Sequence, residues 1–236
     1  MRTDGKIVAI VLAAGQGSRM NSDIHKQYMS VNGKPVLYYS LSTFEHSSVD
    51  EVVLVVGQDE TEYCRVEIVE KYNFDKVKTV VEGGKERWQS VYKGLSAIAN
   101  CSYVLIHDGA RPFVTLDMID KSIEAVKKHG ACVVGMPVKD TIKIANENGF
   151  CEYTPNRSLT WLIQTPQSFE FALIKEAYEK LIKDGTFKNG TFFVTDDAMV
   201  VETYMNHSVY LIEGSYENIK ITTAEDLKIA AILATE

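Results

Sequence analysis

Cysteine is scarce in this chain, and none of its four copies forms a Cys-x-x-Cys pair. Cys64, Cys101, Cys132 and Cys151 also lack histidines at metal-ligand spacing, which excludes a zinc ribbon and leaves reduced, mostly buried thiols. Positive charge is in short supply too: 25 Lys and Arg stand against 32 Asp and Glu, a formal net charge of −7. That balance excludes a nucleic-acid coat, and any polyanionic substrate must be met by a local cluster of cations and backbone N–H groups. No apolar run approaches membrane-spanning length, so no membrane partner is expected. The basic start followed by the apolar run 7–14 imitates a signal peptide, but the run is short and leads into Gly15-Gln16-Gly17-Ser18-Arg19. The expected setting is the cytoplasm.

What is present is the pattern of an α/β protein. Among 236 residues, 45% are hydrophobic and 24% charged, with 15 Gly and 5 Pro, values that exclude collagenous, low-complexity and disordered classes. Short runs rich in Val and Ile at 7–12, 51–56, 77–81, 103–107, 132–136 and 209–212 alternate with longer periodic segments. This predicts a mostly parallel sheet with crossover helices. Leu116, Ile119, Ile123 and Val126 fall at helical spacing in a segment that stops at Gly130, a C-cap residue. Thr223 and Asp226 offer a capping box to a C-terminal helix. The stretch 140–164 breaks the alternation with β-like pieces around polar turns, and reads as an inserted β-arm that a second subunit would cover. The chain therefore reads as one domain, 1–236, carrying one arm.

The strongest local signal follows the first strand: Leu12-Ala13-Ala14-Gly15-Gln16-Gly17-Ser18-Arg19-Met20. Small residues at the C-terminal end of a strand let backbone N–H groups approach a phosphate. The loop is not a Walker A sequence, because no Gly-x-x-x-x-Gly-Lys-Ser/Thr occurs. It is not a dinucleotide fingerprint either, because Met20 stands where the third glycine belongs. A bare Gly-x-Gly is as often a plain tight turn. Arg19 within the loop and Lys26 just beyond it favour an anion site.

Leu12 to Met20, Lys26 and Asn32-Gly33-Lys34-Pro35-Val36-Leu37 together resemble the nucleotidyltransferases that activate sugars and polyols. Further blocks follow in order: Glu82-Gly83-Gly84-Lys85-Glu86-Arg87-Trp88-Gln89-Ser90-Val91, His107-Asp108-Gly109-Ala110-Arg111-Pro112-Phe113, Val138-Lys139-Asp140-Thr141-Ile142-Lys143 and Asn156-Arg157-Ser158. Gln164-Thr165-Pro166-Gln167-Ser168-Phe169, Thr195-Asp196-Asp197-Ala198 and Asn218-Ile219-Lys220-Ile221-Thr222 complete the set. Over essentially the whole chain, this ordered set resembles the 2-C-methyl-D-erythritol 4-phosphate cytidylyltransferase family of non-mevalonate isoprenoid synthesis.

The resemblance implies a Rossmann-like, three-layer α/β/α nucleotidyltransferase with a mixed, mostly parallel sheet and an arm at 140–164 used in dimerisation. It implies a reaction of CTP with a polyol phosphate that yields pyrophosphate. The nucleophile is already an anion, so no general base is needed, and the demand is for cations and positioned donors. In the resemblance, Ala13, Ala14, Gly15 and Gly17 wrap the nucleotide, Arg19 and Lys26 stabilise the transition state, and Gly84 and Ser90 read cytosine. Asp108 would help to hold Mg²⁺ or another divalent cation, with Gly109, where many relatives have Ala, beside it. Asp108, Arg111, Thr165, Thr195 and Lys220 would surround the polyol phosphate, joined by Thr141 and Arg157 from the arm of a neighbouring subunit; Arg157 and Lys220 count with Arg19 and Lys26 as catalytic. Lys85 stands where some relatives carry an acidic residue near the ribose, and its role is left open.

Plainer readings stand beside these. Asp196 and Asp197 read as acids at a helix N-terminus, and His107, last in an apolar strand, as a hydrogen-bonded structural histidine. Asp108 could cap the turn into Arg111, and Lys220 could sit on the exposed face of an alternating strand. The nearest rival family is ribitol-5-phosphate cytidylyltransferase, against which Lys139 to Lys143, Arg157-Ser158 and Trp161 argue. A rival of another class is a CTP-sensing module without chemistry, for which Arg19, Lys26 and Lys220 would be superfluous.

Overall fold

The computed structural model describes residues 5–15, 25–185 and 193–235. In chain order the strands are β1 (Ile7–Ala13), β2 (Ser30–Val31), β3 (Lys34–Pro35), β4 (Glu51–Val56), β5 (Val77–Glu82), β6 (Tyr103–Asp108), β7 (Ala131–Pro137), β8 (Ile144–Ala145), β9 (Cys151–Tyr153), β10 (Trp161–Glu170) and β11 (Tyr210–Glu213). The helices are α1 (Val36–His46), α2 (Thr61–Cys64, continued by a wide turn over Arg65–Glu70), α3 (Arg87–Ala97), α4 (Leu116–His129), α5 (Phe171–Asp184), α6 (Asp197–Met205) and α7 (Ala224–Leu233). Seven strands form one sheet in the order β11-β7-β10-β6-β1-β4-β5, and only β10 runs antiparallel to its neighbours.

The expected six strands are all present, each within a residue or so of its predicted ends. Strand alternation sends Val8 and Ile10 of β1 to one face, where Val91 and Leu95 of α3, Ile174 and Tyr178 of α5, and Val200 of α6 cover them. Ile7, Ala9 and Val11 face the other side, against Leu37, Leu41 and Phe44 of α1 and Ile119 and Ile123 of α4. Three layers result, as a sheet buried on both faces requires. Helix α4 starts on Thr115, whose side chain accepts from Met118 N, and stops at Gly130, where φ is +76°. The capping box of Thr223 and Asp226 opens α7. None of the helices among the described residues is long and apolar enough to cross a membrane.

The excursion from the sheet closes sooner than 164. Val138 N donates to Thr160 O at 3.0 Å, and beyond that bond Trp161, Leu162 and Ile163 pair with Pro137, Met136 and Gly135 of β7. Within the excursion, β8 and β9 form a small hairpin, and Arg157–Leu159 is a single 3₁₀ turn. Trp161, Leu162 and Ile163 are all apolar, so no alternation marks the face they bury and sequence could not say which sheet they join. The rest of β10 was hidden differently: Gln164, Thr165, Gln167 and Ser168 are buried polar residues, and a polar run gives no hydrophobic signal.

Candidate active site

The strand order reverses at β1: the chain moves outward through β4 to β5, then returns to place β6 on the other side of β1. In open α/β sheets ligands bind outside the carboxyl ends of strands at such a point. Here β1 ends in Ala13-Ala14-Gly15 and β6 ends in Asp108. A cavity of about 980 Å³ opens over these ends. Of the residues expected at the site, Ala13, Ala14, Gly15, Lys26, Gly84, Ser90, Asp108 and Lys220 line it. Gly17 and Arg19 lie outside the described residues.

Two contacts bring Lys26 to the cavity. The buried Gln27 donates from Nε2 to Ala13 O at 2.5 Å, so the chain returns to the point where the loop left β1. Glu60 clamps the same turn, pairing with His25 Nδ1 at 2.5 Å and accepting from Tyr28 Oη at 2.7 Å and Gly57 N at 2.9 Å. Burial, then the neighbouring Cys64 and Glu60, push the Tyr28 phenol well above its ordinary value, so its proton remains available for that bond.

Beyond β5, Gly83 N donates to Val56 O at 2.7 Å and Gly84 N to Ser90 Oγ at 3.0 Å. Glu86 and Gln89 form a capping box that starts α3. A Cβ on Gly83 would stand 2.4 Å from Ala14 Cβ, so glycine is what lets this turn close against the end of β1. Lys93 Nζ donates to Gly83 O at 2.9 Å and holds the turn from outside. Ser90 is buried and its oxygen accepts from Gly84, which gives it a part in shaping the turn.

At the end of β6, the Asp108 carboxylate lies between two cations: Oδ2 is 2.7 Å from Lys220 Nζ and Oδ1 is 3.1 Å from Arg87 Nε. Burial alone would raise its carboxyl, but Arg87 and then Lys220 outweigh it and hold the group well below the usual carboxylate range. Asp108 is thus an ion-paired acid; the turn it precedes is closed by its backbone, with Arg111 N donating to Asp108 O at 2.8 Å. Lys220 does not lie on a strand. Its segment is fixed by Ile221 N donating to Ala110 O and by the fully buried Asn218, whose Nδ2 donates to Gln164 Oε1 and Thr165 O. Arg111 Nη1 donates to Asn218 O at 2.7 Å, while its buried Nε has no partner among the described residues.

His107 is the structural histidine expected. Its ring bonds to Arg111 O and Thr165 Oγ1, and complete burial lowers its pKa to about 4. It is neutral near pH 7. Thr165 sits beneath Asp108, its hydroxyl also accepting from Asp108 N at 3.1 Å. Gly109 has no room for an alanine without adjustment, since a Cβ would meet Leu37 Cδ1 at 2.8 Å and Leu12 O at 3.0 Å. Arg111, Thr165 and Thr195 do not line the cavity, and Thr141 and Arg157, exposed on the excursion, do not line it either.

Several residues that build the site were not anticipated: Gln27, Glu60, Gly83 and above all Arg87. Asp196 does cap α6, accepting from Met199 N at 3.0 Å. Asp197 does more than stand at a helix start: it is fully buried, bound by both Nη atoms of Arg87 at 2.9 and 2.8 Å and by Tyr178 Oη at 2.6 Å. An arginine two residues after a glycine-lysine pair and an acid leading a helix are both ordinary in sequence; only the fold makes them partners.

Residues 7–236 match the family described as 2-C-methyl-D-erythritol 4-phosphate cytidylyltransferase. The chain belongs to that family. A member so named from Lachnoclostridium phytofermentans is 48% identical over 231 residues, covering 98% of this chain and 97% of its own. One from Clostridium kluyveri is 51% identical over 223 residues, covering 94% of each chain. Among solved structures, the 4-diphosphocytidyl-2C-methyl-D-erythritol synthase of Anaerococcus prevotii superposes with a TM-score of 0.85 at 35% identity, over 98% of this chain and 96% of that one. The Thermus thermophilus 2-C-methyl-D-erythritol 4-phosphate cytidylyltransferase gives 0.76 at 29% identity, over 96% and 98%. The family and fold implied by the sequence blocks are therefore both borne out.

Proposed function

We propose that this chain joins CTP to 2-C-methyl-D-erythritol 4-phosphate, forming 4-diphosphocytidyl-2-C-methyl-D-erythritol and pyrophosphate, with the cytoplasm as its setting and residues 1–236 as one domain. The observation that carries the reading is the convergence of the β1 end, the Gly83-Gly84 turn and the Asp108–Lys220 pair on one cavity at the reversal of strand order. A phosphate oxygen of the polyol attacks the α-phosphorus of CTP, the new P–O bond forms as the bond to the β-phosphate bridging oxygen breaks, and the electron pair leaves on pyrophosphate. No proton must be removed from the nucleophile. The protein's work is to bring two polyanions together and to meet the charge that grows at phosphorus.

Lys26, with Arg19, supplies positive charge beside the α-phosphate, and the N–H groups of Ala13, Ala14, Gly15 and Gly17 wrap the nucleotide's phosphates. Gly84 and Ser90 read cytosine in a turn too tight for a purine. On the polyol side Lys220 and Arg111 face the phosphate, the unpartnered Nε of Arg111 being a donor awaiting an acceptor; Thr165 and Thr195 complete that side. Thr141 and Arg157 are exposed here and act in the site of a second copy, so the working form is a homodimer built through the excursion.

Among the described residues no group of three or more His, Cys, Asp or Glu could hold a metal ion alone. A single carboxylate at a strand end does suit Mg²⁺, which binds through one or two carboxylates plus substrate phosphates. Asp108 would help to hold the ion. The ion would neutralise triphosphate charge.

The test is pyrophosphate release from the purified protein with CTP and Mg²⁺ and either methylerythritol phosphate or ribitol phosphate, with UTP, ATP and GTP as controls. Release with CTP and methylerythritol phosphate alone is expected. Release only with ribitol phosphate would overturn the acceptor, and tight CTP binding with no pyrophosphate in any mixture would leave a sensing module.

A further inference from the structure

Arg87 stands where a cation is electrostatically disfavoured, at the first residue of α3 and so at the positive end of its dipole. Three of its nitrogens are nonetheless committed to acids: Nε to Asp108 Oδ1, and Nη1 and Nη2 as a fork to Asp197. The two acids differ in situation. Asp197 is sealed from solvent and its Oδ1, which accepts from Arg87 Nη1, also accepts from Tyr178 Oη, whereas Asp108 borders the cavity and shares its other oxygen with Lys220. One planar guanidinium thus joins the helix that follows the Gly83-Gly84 turn, the end of β6, and the start of α6, two residues after Thr195.

We propose that Arg87 is a positioning residue for the reaction: braced by Asp197, it fixes the plane of the Asp108 carboxylate and, through Oδ2, the place of the Lys220 ammonium. The inference rests on the reaction put forward above. Without the brace Arg87 would be a mobile side chain at a helix start, and with it Asp108 can turn only by breaking a hydrogen bond. Lysine cannot substitute, because a single ammonium lacks the fork that binds Asp197 while a third N–H faces Asp108. The neighbouring acids raise the Arg87 guanidinium against the lowering effect of burial, so its charge is permanent.

The experiment compares wild type, Arg87→Lys, Arg87→Gln, the double variant Arg87→Gln/Asp197→Asn, and Tyr178→Phe, reading kcat, both KM values and the melting temperature. A misplaced Asp108–Lys220 pair should lower kcat about 10²-fold in both Arg87 single variants. KM for CTP should move by less than about threefold, whereas KM for the polyol phosphate should rise, because Lys220 faces that phosphate. Tyr178→Phe, which removes one bond to Asp197 Oδ1 and leaves both Arg87 bonds to that carboxylate in place, should lower the melting temperature and keep kcat. The double variant removes the buried charge together with its partner and should regain melting temperature over Arg87→Gln without regaining kcat, so poor folding of the single variant cannot mask the result. Wild-type kcat in Arg87→Lys, or recovery of kcat with stability in the double variant, would make Arg87 a mere strut and overturn the inference. A wild type that releases no pyrophosphate would overturn the reaction and this role together, an outcome distinct from either.

Discussion

Replacing Gly83 with alanine tests whether the nucleotide side of the cavity depends on the close approach of two turns. The new Cβ would lie 2.4 Å from Ala14 Cβ and 2.6 Å from Ser90 Oγ. Carbon atoms in contact prefer about 3.5–4.0 Å, so Gly83 and Ala14 must part by more than about 1 Å. Neither obstacle is a flexible tip. Ala14 Cβ moves only with its backbone, and Ser90 Oγ is held by Gly84 N, so rotating it away gives up that bond. Overpacking of this kind costs about 1–3 kcal/mol. If the whole strain stayed in the folded state, about 2 kcal/mol would lower the melting temperature by about 4–8 °C in a chain of this size. The end of β1 can instead yield, and the strain then appears as a displaced phosphate loop, for which about a 10²-fold loss in kcat/KM for CTP is expected. Calorimetric melting and initial rates at varied CTP, with the polyol phosphate saturating, separate the two. A Gly83→Ala protein with unchanged melting temperature and unchanged kcat/KM for CTP would refute the reasoning.

Lys26→Ala should lower kcat by about 10²–10³ with a wild-type circular dichroism spectrum, since it deletes one transition-state charge; an unchanged rate would remove Lys26 from the mechanism. Arg157→Ala should be nearly inactive by itself, yet mixing it with Lys26→Ala should restore part of the activity, because hybrid dimers would contain one intact composite site. Absence of rescue after subunit exchange would assign Arg157 to its own subunit. Iodoacetamide at pH 8 should modify Cys151, which is exposed, and spare Cys64, Cys101 and Cys132. Burial pushes the Cys64 thiol up to about 11 and the other two to about 12, so the reactive thiolate is scarce at that pH. Mass spectrometry should count one adduct per native chain and four after denaturation; rapid labelling of Cys64 in the native protein would contradict its burial.

The layers of this fold were legible because the sheet is buried on both faces. Val- and Ile-rich runs at β1, β4, β6 and β7 are visible without any partner, and the Gly130 stop and the Thr223–Asp226 box are local chemistry read from a few adjacent residues. β10 was not legible, because its buried half is Gln, Thr, Pro, Gln and Ser, satisfied by long-range bonds such as Gln167 Oε1 accepting from Asp197 N across 30 positions. The site divides in the same way. Residues that line the cavity from a loop, such as Ala14 and Gly15, are marked by composition at a strand end. Those that act on another residue, such as Gln27 on Ala13 or Arg87 on Asp108, carry no local mark, since their role exists only once separate segments meet. The excursion was recognised by its lack of period, but its return point was not, because pairing partners decide where a strand belongs.

The placement of β10 also dictates an order of assembly. β5, β4, β1 and β6 are neighbours in one parallel set, and all four lie within the first 108 residues, so that half of the sheet can form as soon as they have been synthesised. β7 comes next along the chain but does not pair with β6: its neighbours are β10 and β11. Until residues 161–170 emerge and slide between them, β6 presents an open edge and β7 has no partner on either side. During synthesis this chain therefore passes through a half-sheet with an unpaired hydrophobic strand at its rim, the kind of edge that recruits other chains. Closure comes from the one strand that runs the opposite way.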